Sequence, residues 1–394
     1  MAARSEPEQS EHEQRVTPLE LFFDLVFVFA ITQVTSLLAA TPTWTGVLHG
    51  MLVLTALWWA WAAYAWLTNT MDSDEGVVRI AMLGAMAAML VVSLAVPEAF
   101  GDDAVLFAGA YMVVRALHLV LYAIAGKHDP ELLGAVLRLA STATIGPLLL
   151  LVAGFLEGGE RVAVWIVALT LDFLGPTLIG RGRGWRVSVE HFAERHALII
   201  LIALGESIVA IGVGATSITL DLGVVVAAVL AITLVSALWW LYFDVAAIIA
   251  RELVRSRSGL EQIRMARDGY SYLHMPMVAG IVLFALGLKK TLEDVGEPLD
   301  TVPAVALAGG VALYLLAHCA FFLRLARRLF RRRFIGGVVL LALIPAVTRL
   351  PALVSLALVG AVCVFVVAYE AISHREHRAQ IRHPELADRE LVAP

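Results

Sequence analysis

The chain has 394 residues, of which 60% are hydrophobic and 16% charged, and its formal net charge is −5. With a mean hydropathy of +0.83, this composition excludes an ordinary water-soluble protein and a disordered one. It points to an all-α membrane protein, because backbone crossing lipid in apolar runs of helical length must satisfy its own hydrogen bonds.

The first fifteen residues are polar and acidic and lack the short apolar core and cleavage site of a secretory signal. Residues 1–18 therefore read as a cytoplasmic tail. Apolar runs follow at 19–38, 47–67, 77–97, 104–125, 132–154 and 162–180. A basic cytoplasmic linker is expected over 181–195. Six more runs lie at 196–214, 222–243, 272–290, 302–323, 334–348 and 350–371, and a charged tail over 372–394 ends the chain. Each run is long enough, or nearly so, for a hydrocarbon core of about 30 Å. The weakest is 334–348, which ends at Pro345 and is parted from the next by Arg349 and Pro351; a shallow helical hairpin is the alternative there. Cys319 and Cys363 both fall inside predicted spans, so neither a disulfide nor a thiolate metal site is expected.

Two short matches suggest that the pattern runs twice. Ala56-Leu57-Trp58-Trp59 recurs as Ala237-Leu238-Trp239-Trp240, and AVLFAGAYMVVRALH (104–118) aligns with AVALAGGVALYLLAH (304–318). The expected architecture is about twelve transmembrane helices in two six-helix repeats, 19–180 and 196–371. All but five of the 29 Lys and Arg lie in or next to alternate loops; the exceptions are Arg115, Arg161, Lys289, Lys290 and Arg349. The positive-inside rule then puts both termini in the cytoplasm and makes the repeats parallel. It also explains the basic clusters as anchors at the bilayer surface, so the expected partner is lipid and no nucleic acid is expected. The oligomeric state is not legible.

The segment TPLELFFDLVFVFAITQVTSLLA (17–39) closely resembles the opening of the bacterial low temperature requirement A family, and EHFAERHALIILIALGESIVAIG (190–212) resembles its second hallmark. With the paired-tryptophan span and YLHMPMVAGIVL (272–283), the likeness covers nearly the whole chain. It implies a multi-pass membrane protein named for growth in the cold, with no settled biochemical activity. A shorter stretch, Phe23 to Thr32, resembles the first helix of potassium channels that carry a Phe-Ser-Asp signature. By that likeness Asp24 matches the signature aspartate and Ile31 a pore-lining aliphatic. Phe23 stands where the serine would be, Pro18 where an arginine would be, and 196–207 lacks the signature.

Charges at bilayer depth face the protein interior and have a partner or a task. Arg115, Asp172 and Glu206 each lie about ten residues into their predicted spans, near 15 Å deep. If they converge, Arg115 pairs with one acid and leaves the other as a carrier of a proton or cation; the alternative is an internal ion pair that locks helices. Pro176 follows Asp172 by four residues and displaces the Asp172 carbonyl, offering a second oxygen at an interrupted helix. Gly205, Gly212 and Gly214 on the Glu206 helix suggest close approach of a neighbour. Glu20 and Asp24 share one face of the first helix, and with Thr32, Gln33 and Thr35 they could line a hydrated path; a negative helix start is the plainer reading. His118 and His318 occupy matching positions and could relay protons, or be buried and satisfied. His191, Glu194 and His196 hold a His-x-x-Glu step, but Glu190 and Arg195 suggest a solvated helix start, and no metal site is expected.

No P-loop, nucleophile elbow, HExxH or haem-attachment motif is present, so the chain is not expected to be an enzyme and no cofactor is expected. The leading expectation is movement of an ion or small solute across the cytoplasmic membrane by a coupled carrier. The alternatives are a cation channel lined by the first helix of each repeat and a structural or lipid-related protein that supports growth in the cold.

Overall fold

The computed structural model describes residues 16–71, 76–178, 184–216, 220–373 and 375–382. Among them the chain is helical with no strand, apart from a lone bridge between Pro298 and Pro351. The helix α1 (Pro18–Ala40) opens on a capping box. The Thr17 side chain accepts from the Glu20 N–H, the Glu20 carboxylate accepts from the Thr17 N–H at 2.9 Å, and Pro18 takes the first helical position. Then come α2 (Trp44–Leu67), α3 (Gly76–Leu94), α4 (Ala104–Ala125), α5 (Pro130–Gly154) and α6 (Gly158–Leu178). The second half holds α7 (Val189–Thr216), α8 (Leu222–Phe243), two short helices α9 (Ala246–Arg255) and α10 (Gly259–Met265), a π-helical turn (Ala266–Tyr272) and α11 (His274–Glu293). It ends with α12 (Thr301–Ala326), α13 (Arg331–Val347), α14 (Ala352–Ser373) and the short α15 (Arg375–Arg382).

Ten helical stretches among the described residues are long and apolar enough to cross a membrane, with α9 counted as an extension of α8 and α10 of α11. Two more long helices, α6 with 21 residues and α13 with 17, complete the bundle. Its outer surface carries large apolar side chains in the open, such as Ile80, Phe155 and Leu222, each more than 70% exposed. A surface of that kind needs hydrocarbon around it.

In the first half α1 packs on α2 and α3, and the chain then packs α3 on α4, α4 on α5 and α5 on α6. In the second half α7 packs on α8 and α11, followed by α11 on α12, α12 on α13 and α13 on α14. The halves meet where α1 lies against α7 and α11. The tightest seam joins α11 to α12. A Cβ built on Gly310 would sit 2.6 Å from the Gly280 carbonyl oxygen and from the Phe284 nitrogen, and one on Gly287 would sit 2.6 Å from the Leu307 Cα. Small residues there let two backbones touch, the way membrane helices gain dispersion contacts that lipid would otherwise supply.

Three elements differ from the sequence reading. The helix α7 starts at Val189, so residues 189–195 form its first two turns; Glu190 and Arg195 had suggested a solvated start, yet Arg195 is fully buried. The span expected at 272–290 is preceded by α10 and the π turn, because the polar residues there find partners in neighbouring helices. Pro176 does not interrupt α6, which runs through it. The carbonyls near the proline are taken up from the π turn: Tyr272 donates its hydroxyl to the Phe173 oxygen and Arg267 donates to the Pro176 oxygen at 3.1 Å. The doubtful 334–371 region is an antiparallel pair, since Arg333 in the first turn of α13 is bonded to Glu370 in the last turn of α14 (2.7 Å). Residues 1–15 and 383–394, and the tails predicted there, lie outside the described residues.

Replacing Gly310 by leucine should force α11 and α12 apart and destabilise the protein by about 1–3 kcal/mol or more. The neighbouring Gly309, whose nearest atom would be an ordinary 3.7 Å from a new Cβ, should accept alanine without loss. Melting of both variants in detergent checks the pair.

Buried charges between the helices

The first turns of α1 and α7 carry matched pairs four residues apart, Glu20 and Asp24 on one and His191 and Arg195 on the other, and all four are at most 2% exposed. Arg195 donates to Asp24 Oδ1 at 2.6 Å and lies 3.4 Å from Glu20 Oε1. His191 Nε2 is 3.0 Å from Glu20 Oε2. The helix α2 closes the cluster: Trp61 Nε1 donates to Asp24 Oδ1 at 2.9 Å and Arg195 donates to the Thr68 hydroxyl at 3.2 Å. Since the lower-numbered residue of each pair faces the other, α1 and α7 run parallel and begin at the same end of the bundle. Basic side chains gather at that end: Arg255 lies 3.9 Å from Glu190, and Arg324 is 2.9 Å from Asp268.

Hydrogen bonding fixes the imidazole. The Ser188 N–H donates to Asn69 Oδ1 at 2.5 Å, so the Asn69 amide nitrogen faces His191 Nδ1 at 3.2 Å and donates to it. His191 Nδ1 must accept, and its hydrogen sits on Nε2, directed at Glu20. Both carboxylates face the one guanidinium, and Asp24 Oδ2 is buried without a hydrogen-bond partner.

A second pair lies between α4 and α6. Arg115 donates through Nη2 to Asp172 Oδ1 at 2.9 Å, both residues being 3% exposed. The pairing foreseen for these two is thus present, but Glu206 does not join it. That carboxylate sits against α1 and accepts from the Thr32 hydroxyl; among the described residues no cation forms an ion pair with it. Thr32 is about 21 Å along α1 from its start, so Glu206 lies past the middle of that helix, because α7 begins earlier than its apolar run. Gly205 and Gly212 do not bring a neighbour close, as nothing lies within 4 Å of where their Cβ would be. Gln33 is half-buried on α1.

The matching histidines have unlike surroundings. His118 packs its ring against Tyr64 and Tyr122, with no side-chain hydrogen bond among the described residues. His318 accepts from Arg333, which also donates to the Leu241 carbonyl at 2.8 Å and to both oxygens of Glu370. Beside His118 a cavity of about 80 Å³ is bounded by α2, α4, α5, α6, the residues leading to α7 and the π turn. Among the described residues no three His, Cys, Asp or Glu side chains gather as ligands for one metal ion.

Sequence reasoning read Arg195 and His191 as part of a solvated helix start, and it missed Trp61, Asn69, Arg333 and Glu370. The signal for the first two was present, since His191 and Arg195 repeat the spacing of Glu20 and Asp24. Trp61 on α2 and Asn69 just after it carried none, because indole and amide side chains are common at such positions and only the fold aims these at the cluster.

Arg195→Met should leave two buried carboxylates facing each other and cost about 3–5 kcal/mol. Adding Glu20→Gln and Asp24→Asn to it should restore most of that loss. Thermal melting of the single and triple variants in detergent measures the difference.

The family described as bacterial low temperature requirement A protein (LtrA) matches residues 15–368. A relative from Rhizobium meliloti (strain 1021), itself described as uncharacterised, is 31% identical over 372 residues, covering 91% of this chain and 90% of its own length. No solved structure matches the chain, and the local likeness of α1 to potassium channels gains no support. Asp24, the aspartate of that likeness, faces Arg195 and Trp61 inside the bundle. With its many apolar helices and a match over nearly its whole length, the chain is an integral membrane protein that belongs to the bacterial low temperature requirement A family.

Proposed function

We propose that the protein is a carrier in the cytoplasmic membrane, coupled to a proton or a small cation held between α1 and α7, with both termini in the cytoplasm. The observation that supports it most is the imbalance of the buried cluster. Glu20 and Asp24 face one guanidinium and the imidazole of His191, in a place where unpaired charge is costly. One proton or one monovalent cation on the free oxygen of Asp24 would offset one of the two carboxylates. Glu206, about 12 Å further along α1 from Asp24, offers a second acid at the same interface. Both stations are closed to solvent, with exposures of 2%, which suits occluded ions better than the wet lining of a channel.

The basic clusters at the end where α1 and α7 begin support the cytoplasmic orientation by the positive-inside rule. The like order of helix neighbours in the two halves, together with the parallel start of α1 and α7, supports a duplicated six-helix unit with its working interface between the copies. A cation channel is the second reading, favoured by the direct contact of the first helix of each half. It would give currents that do not saturate at low ion concentration.

In proteoliposomes under imposed proton and then potassium gradients, the wild type should dissipate at least one of them. Glu206→Gln and Asp24→Asn should each lower the initial rate about tenfold or more, while Glu194→Gln, on an exposed position of α7, should leave it unchanged. Flux equal to that of protein-free liposomes under both gradients would refute the reading, as would flux that survives both substitutions.

A further inference from the structure

The cavity next to His118 has an unusual inventory. Its walls are largely indole and alkyl, contributed by Trp59 and Trp66 of α2, Trp185 ahead of α7, and apolar residues of α5 and α10. The polar groups that line it include two guanidiniums, Arg115 and Arg267, and no carboxylate. Several donors there have no partner: Arg115 Nε and Nη1 and the Tyr122 hydroxyl, with the His118 imidazole beside them on the same wall. These residues are 3%, 2% and 1% exposed, so water at the surface does not satisfy them. Buried donors of this kind are normally bonded.

The fold holds the inventory in place. Asp172 engages only the Nη2 end of Arg115, which orients the guanidinium and leaves its other nitrogens unengaged. The π turn places Arg267 and Ser271 at the cavity; its extra residue per turn aims side chains that an α-helix would direct elsewhere. Ser271 is fixed there by Trp66 Nε1, which donates to its hydroxyl, and by Trp58 Nε1, which donates to its carbonyl, each at 2.8 Å. Arg267 is held by Asp268 at 2.7 Å and by the Pro176 oxygen.

We infer that this cavity binds a small aliphatic carboxylate, with the anionic end at Arg115, His118 and Tyr122 and the alkyl part against the indoles. Aromatic walls alone would suit a cation, but two guanidiniums oppose one, and a wholly apolar ligand would leave the donors bare. A carboxylate accepts from Arg115 and Tyr122 at once. The cavity of about 80 Å³ has several times the room that a single water needs, so a small organic molecule fits there. The part of this inference that makes the carboxylate a transported substrate rests on the carrier reading; the binding site itself does not.

The test is equilibrium binding of radiolabelled propionate to the purified full-length protein, competed by unlabelled propionate, propionamide and propylammonium. Propionate should compete at least tenfold more effectively than its neutral and cationic analogues. Tyr122→Phe, which removes a hydroxyl with no partner, should weaken binding several-fold, and the paired variant Arg115→Leu/Asp172→Leu should abolish it while melting close to the wild type. Equal competition by propionamide, or full binding by the paired variant, would overturn the inference. Binding without gradient dissipation would keep the site and reject the carrier, whereas dissipation without binding would do the reverse.

Discussion

The structure depends on the parallel contact between α1 and α7, where four ionisable side chains interlock inside the membrane bundle. Two helices separated by about 170 residues of sequence are held in register by Glu20 and Asp24 meeting His191 and Arg195. Ridge packing alone would allow neighbouring registers of similar energy, since alanine, valine and leucine fit one another in many ways. A charged ladder does not. Sliding α7 by one turn would strip Arg195 or one carboxylate of its partner in a medium where that loss is severe. The contact therefore fixes how the first half sits on the second, and the rest of the interface follows from it.

The same contact is where the chain departs from what stability alone would select. A buried ion pair gains little over well-packed apolar residues, and a cluster with one carboxylate in excess gains less. The surrounding layer is nonetheless hydrogen-bonded to it: Trp61 donates to Asp24, Thr68 accepts from the guanidinium, and Asn69 fixes the imidazole tautomer through the Ser188 backbone. The Arg115–Asp172 pair is different in kind. It is balanced in charge, and its effect is to hold a half-engaged guanidinium at the wall of a cavity.

Much of the fold was legible because the bilayer makes hydropathy informative. The span read as 222–243 coincides with α8, and the helices of the first half lie close to their apolar runs. Helix starts were less legible where polar residues belong to the helix, as at 189–195 and 259–272. There the residues look solvated in sequence, and only their partners on α1, α2, α6 and α12 explain their burial. The site was half legible. The pairing of Arg115 with Asp172 follows from the cost of charge in lipid, which marks a residue as needing a partner without naming it, whereas Asp24 read as part of a hydrated helix start and is buried. Glu206 was placed with Arg115 because both looked equally deep, and the early start of α7 moves it away. His118 and His318 match in sequence but not in chemistry, since Arg333 comes from α13 and has no counterpart beside His118.

The central claim is that the α1–α7 cluster holds an exchangeable proton or cation on a surplus carboxylate. Infrared difference spectroscopy of the membrane-reconstituted protein, taken between neutral and acidic pH, addresses it directly. The account predicts a protonated-carboxyl band that appears on acidification, is removed by Asp24→Asn, and is suppressed when a bound cation competes. A difference spectrum unchanged by Asp24→Asn and by Glu20→Gln would contradict it, and would leave the cluster as a lock between helices.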